Sequence, residues 1–148
     1  MKVLIILPET WVVEELQVEP QGEDGLDGAR AAVGLQEGFE HVEFGPGLHM
    51  LHEEDSLKAD PATQSYFMIG RKVYAGRSVI YATDDVGEIV DMAEKRVSLF
   101  GVEFDADEII RRSVTYPQTA LDLEAAIQRG EFDRPTDGAW SWSPAQAA

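Results

Sequence analysis

The chain has 148 residues, of which 44% are hydrophobic, a supply that suits one ordinary core. It contains no cysteine, so disulfides, thiolate metal sites and a cysteine nucleophile are excluded outright. A formal net charge of −16 at pH 7 repels phosphate, which disfavours direct binding of nucleic acid by counterion release.

That charge is unevenly spread. Residues 1–55 hold 13 acids against two bases, Lys2 and Arg30, whereas residues 56–148 hold 15 acids against 10 bases. Three origins stay open at this level: solubility alone, adaptation to a salty cytoplasm, and an acidic face that meets a basic partner.

In chain order, Lys2 to Leu7 (KVLIIL) has the length and β-propensity of a strand, and Trp11 to Glu19 ends in alternation, so the two read as a hairpin turning at Pro8. The apolar run from Val3 stops at Pro8, too short for a signal-peptide core or a membrane span, and a cytoplasmic location is the expectation. Pro20 to Gly28 (PQGEDGLDG) reads as an acidic loop. Leu26, Ala29, Val33 and Gln36 then recur at helical spacing, predicting a short helix that stops at Gly38.

Phe39 to Phe44 alternates, and the Gly-Pro-Gly at 45–47 forces a turn before a second short strand, Leu48 to His52. Ser65 to Ile69 is apolar, Val73 to Thr83 is β-rich, and Gly87 to Met92 is placed to pair with it across a loop at Asp84-Asp85-Val86-Gly87. The period then changes. Asp105-Ala-Asp-Glu108 has capping-box spacing ahead of Ile109 and Ile110, and Thr119 opens a second helix that ends before Gly130; both are expected on one face of the sheet. Residues 134–148, around Trp140 and Trp142, lack a burying period and read as a flexible tail whose tryptophans either anchor a partner or fold back. The expected architecture is α+β: one domain over residues 1–133, with a twisted, mainly antiparallel sheet of five to seven strands and two or three helices.

No motif fixes an activity. Phosphate-binding loops and a nucleophile-elbow serine are absent from the sequence, so the chain is read as a binding protein before an enzyme, with no cofactor expected. His41, His49 and His52 precede three acids, but His49 and His52 are three apart in a strand and point to opposite faces, so no metal site is expected. Two candidate surfaces remain. Glu14, Glu15, Glu19, Glu23, Asp24, Asp27, Glu53, Glu54 and Asp55 offer an acidic face for a basic protein, and rows of carboxylates can imitate the phosphate path of DNA. Arg71, Lys72 and Arg77, with Tyr81 among nearby tyrosines, offer an alternative pocket for a small anion or nucleotide, unless these bases pair with acids on neighbouring strands.

The order LQEGFEHVEF, then HEEDSLKADPATQ, then MIGRKVYAGRSVIYATDDVGEIVDM has a counterpart elsewhere. In it, residues 36–92 resemble a family of small phage- and plasmid-borne proteins grouped as a domain of unknown function. The resemblance implies an origin on a mobile element and no catalytic residues. Together with the acidic N-terminal third, it leads to the expectation of a phage or plasmid accessory protein, with DNA mimicry as its narrower form, directed at a host DNA-binding or defence protein.

Overall fold

The computed structural model describes residues 1–23, 25–34, 39–45, 47–53 and 65–134. Among them run, in order, β1 (Lys2–Leu7), β2 (Val12–Gln17), α1 (Asp27–Val33), β3 (Phe39–Gly45), β4 (Leu48–Glu53), β5 (Tyr66–Ile69), β6 (Lys72–Ala75), β7 (Ser78–Thr83) and β8 (Ile89–Val90). A single 3-10 turn at Met92–Glu94 leads to β9 (Arg96–Leu99), β10 (Val102–Asp105), α2 (Ala106–Ser113), β11 (Val114–Thr115) and α3 (Ala120–Gln128). The fold is α+β, and every strand pairing in it is antiparallel.

The main sheet has the order β2-β1-β7-β4-β3, with β8 added beside β7. Its interior strands are the ones whose sequences are continuously apolar. Val3 to Ile6 and all six residues of β7 are buried, because neighbours flank them and both faces of the sheet are covered. On one face Val3, Ile5, Leu51, Val79 and Tyr81 pack against Leu26, Ala29 and Val33 of α1. On the other, Leu4, Ile6, Met50 and Ile80 pack against Phe67 of the small sheet and against Ala106 and Ile110 of α2.

Three expectations are corrected. The helix near residue 30 ends at Gly34, which takes the left-handed C-cap conformation, rather than at Gly38. The β-rich run from Val73 to Thr83 is two strands in two sheets, parted at Gly76-Arg77; β6 joins a three-stranded sheet of order β11-β5-β6. The helices do not share a face: α2 lies on the main sheet, whereas Leu123 and Ile127 of α3 pack on Tyr66, Met68, Val73 and Ala75 of the small sheet. The two-stranded β9–β10 ribbon was not foreseen. The predicted caps fall where expected, although only Thr119 closes its bond, accepting from Asp122 N at 3.1 Å. Asp105 sits at the N-cap of α2 but gives its carboxylate to Arg96 at 2.9 Å. Trp140, Trp142 and the predicted tail from 135 onward lie outside the described residues. No helix among the described residues is long and apolar enough to cross a membrane.

Candidate functional site

On the α1 face, β3, β4 and β7 lie side by side and carry His41, His49 and Tyr81. His49 is directly opposite Tyr81, and His41 and Thr83 sit on its two diagonals. Cross-strand neighbours of this kind approach within side-chain reach. The ring centroids of His49 are 4.9 Å from those of both His41 and Tyr81. His41 Nε2 and His49 Nδ1 are 2.8 Å apart, and His49 Nε2 is 2.8 Å from Thr83 Oγ1, so both nitrogens of His49 are engaged.

Burial is the main influence lowering the His49 pKa. The neighbouring His41 acts in the same direction, Glu43 opposes it, and Lys95 adds to the lowering. At neutral pH His49 is therefore uncharged, with one ring nitrogen donating and the other accepting. One of the two allowed arrangements has the Thr83 hydroxyl donating to Nε2 while Nδ1–H donates to His41. That arrangement can pass the hydroxyl proton to the imidazole.

Lys95 donates to the Thr83 carbonyl oxygen at 3.0 Å. Gly47 makes room for this approach. At a φ of +79°, a Cβ on residue 47 would collide with Lys95 Nζ and lie 2.6 Å from the Thr83 oxygen. Over the polar floor opens a cavity of about 550 Å³, walled by the loop through Glu23 and by the β7–β8 loop through Glu88, with Leu26 and Ile89 as apolar sides. Among the described residues no Lys or Arg lines it.

Of the nine acids expected to face a partner, the structure leaves Glu14, Glu19 and Glu23 without a cation in ion-pair range among the described residues. Glu14 and Glu15, adjacent on β2, point to opposite faces. Glu15 is spent on Lys2 at 2.9 Å, and Asp27 is joined to Arg30. Asp24, Glu54, Asp55 and the Glu53 side chain lie outside the described residues. Glu43 and Glu88, uncompensated carboxylates beside the histidines, were not singled out from the sequence.

The expected anion pocket is not assembled. Arg71 holds Asp133 at 3.0 Å and the Gly130 carbonyl at 2.9 Å, Lys72 reaches the same Asp133, and Arg77 holds Glu9 at 2.6 Å from the other end of β6. Tyr81 lies on the opposite face of the main sheet, in the layer under α1. Neighbouring acids thus consume the basic side chains. The opposed directions of His49 and His52 are as expected: His52 faces away, toward Tyr74 and Glu40. Among the described residues no group of His, Asp and Glu is arranged to hold a metal ion. The His41–His49–Thr83 contact escaped the sequence reading because its members are 8 and 34 residues apart, and only the strand register brings them together.

Compared with protein-family models, with curated proteins and with solved structures, the chain matches none.

Proposed function

We propose that the chain acts by binding a basic protein surface through the acidic rim of the α1-side cavity. The observation that carries this reading is the cavity lining, which holds Glu23 and Glu88 and, among the described residues, no Lys or Arg. All eight arginines are within ion-pair distance of a carboxylate, whereas Glu19, Glu23, Glu43 and Glu88, like Glu14, Asp84, Asp85, Asp91, Glu94, Glu103 and Asp122 elsewhere, have no such partner among the described residues. Uncompensated carboxylates around a concavity project a negative field that steers a cationic partner. The resemblance to mobile-element proteins suggests a host DNA-binding or defence protein as that partner. Imitation of a DNA phosphate path is the narrower form of the reading, and it draws on Glu14, Glu19 and Glu23 alone, since Glu15 and Asp27 are paired internally.

The test compares two variants with equal charge loss. Glu19→Gln, Glu23→Gln and Glu88→Gln together remove three charges at the rim; Asp105→Asn, Glu108→Gln and Glu131→Gln remove three that are already compensated. Titration of an arginine-rich peptide by calorimetry at low salt should be weakened at least about tenfold by the first set and little by the second. Binding should also fade as the Debye length drops below about 10 Å. Equal weakening by both sets reduces the attraction to bulk charge and removes the rim from the account.

A further inference from the structure

We propose that Thr83, His49 and His41 form a nucleophile, base and orienting relay that cleaves an ester of a small, positively charged acyl compound held in the α1-side cavity. The relay stands independently of the binding reading; only the charge of the substrate draws on the same carboxylates.

Three observations carry it. First, a hydroxyl and an imidazole nitrogen are 2.8 Å apart, and the second nitrogen of that imidazole is fixed by another imidazole at 2.8 Å, the geometry in which a base is both placed and oriented. Second, Thr83 and His49 themselves line the cavity, so the reacting groups meet a space of about 550 Å³, the volume of a small-molecule site. Third, Lys95, which lies outside the cavity lining, donates to the Thr83 carbonyl oxygen at 3.0 Å and so holds the backbone that carries the attacking hydroxyl. Glu23 and Glu88 on the walls favour a cationic substrate.

The chemistry balances without an oxidant or a metal. Thr83 Oγ1 attacks the ester carbonyl carbon as its proton moves to His49 Nε2. The bond from that carbon to the alcohol oxygen breaks, and the departing oxygen takes the proton from Nε2, leaving an acyl-threonine. Water then attacks the acyl carbon and gives its proton to Nε2. Thr83 oxygen leaves, recovers that proton, and the carboxylic acid is released. His41 is a positioning residue: it holds the His49 ring and does not touch the substrate.

The test uses the whole chain and two activated esters, the p-nitrophenyl esters of 4-guanidinobenzoate, which is cationic, and of benzoate, which is neutral. The expected result is release of nitrophenolate, with the acyl group mapped to Thr83 by peptide mass spectrometry and the cationic ester preferred. Thr83→Val and His49→Gln should each lower the rate by about 100-fold or more, whereas Thr83→Ser, which keeps the hydroxyl, should remain active. His41→Gln should lower kcat while leaving KM near its original value. Glu23→Gln with Glu88→Gln should abolish the preference for the cationic ester, bringing its rate down to that of the neutral one. Acylation of lysine or of the chain's amino group in place of Thr83, an unaltered rate in folded Thr83→Val, or no release from either ester by the folded protein overturns the proposal. The peptide titration above is indifferent to Thr83→Val, so failure of one reading is distinguishable from failure of the other.

Discussion

On the α2 side of the main sheet, a concavity of about 470 Å³ is lined by Lys2, Arg111 and Arg112 together with Asp105, Asp107 and Glu108. On the α1 side, the concavity of about 550 Å³ has Glu23 and Glu88 and, among the described residues, no Lys or Arg. The first is knitted together: Asp107 receives Lys2 at 2.7 Å and Arg111 at 2.5 Å, and Arg111 also donates to Val13 O at 2.7 Å, tying α2 to edge strand β2. The second has a floor of His49, Tyr81 and Thr83, with Leu26 at the start of the seven-residue α1 as an apolar wall. Charge that is cancelled within the chain contributes to holding the chain together. Charge left uncancelled beside a polar floor is available to something else.

The largest expected effect tests whether the two sides also differ as supports of the fold. Phe67 is fully buried between the main and small sheets, and Phe67→Ala removes a ring from the middle of three layers, at a cost of about 3–5 kcal/mol. Leu26 is nearly as buried but packs under a helix of two turns that can settle, so Leu26→Ala should cost about 2–3 kcal/mol, the lower part of the usual range. Urea unfolding of the two variants checks this, and equal losses would mean that the α1 layer is as integral as the α2 layer.

Acidification should separate the sides next. His49, with its pKa lowered by burial, faces His41 and Glu43 from β3, Tyr81 and Thr83 from β7, Lys95 after the 3-10 turn, and Glu23 and Glu88 from the loops. A group whose folded pKa lies below its unfolded value contributes stability that is complete above the unfolded value, about 6.5 for histidine, and that is lost as pH falls through the window beneath it. Burial pushes Asp107 upward, but hydrogen bonds from Lys2 and Arg111 outweigh it, leaving its pKa below the ordinary aspartate value. Its contribution is therefore retained until pH falls below about 3.9. Melting temperatures across pH should show His49→Gln flattening the decline that sets in below pH about 6.5, and Asp107→Asn flattening only the decline below about 4. Parallel curves for wild type and His49→Gln would show that the α1 floor does not govern the first step.

Much of this architecture was legible in the sequence, and the illegible part has a physical pattern. Continuous apolarity marked β1 and β7 because interior strands are buried on both faces. Pro8, the glycines at 45 and 47 and Thr119 marked their turns and cap through local backbone chemistry. What local chemistry could not show was which strands become neighbours. Thr83 meets His49 only because β7 pairs with β4, and Arg77 parts from Arg71 only because Gly76 hands the chain from one sheet to another. The acidic field was visible as composition, but which carboxylates stay uncompensated depended on where each arginine lands. Asp105 shows the limit most clearly: its capping position was read correctly, and Arg96 across the β9–β10 ribbon nevertheless took its carboxylate.

The smallest effect bears on what the compensated side is for. Arg112 pairs with Glu108 at 2.6 Å one helical turn away, with 70% of the arginine side chain and 44% of the glutamate exposed. Water screens such a pair, and ordering two long side chains offsets most of its attraction, so Arg112→Ala should cost about 0.3–0.5 kcal/mol in urea unfolding. A loss that small means the α2-side pairs act mainly by cancelling charge. Arg112→Ala would then add an uncompensated carboxylate at Glu108 and make the α2 side attract a cationic peptide slightly more, without much change in stability. A loss well above 1 kcal/mol would instead make the network a structural clamp, and the difference between the two sides would then reflect how each is held together rather than what each leaves open to bind.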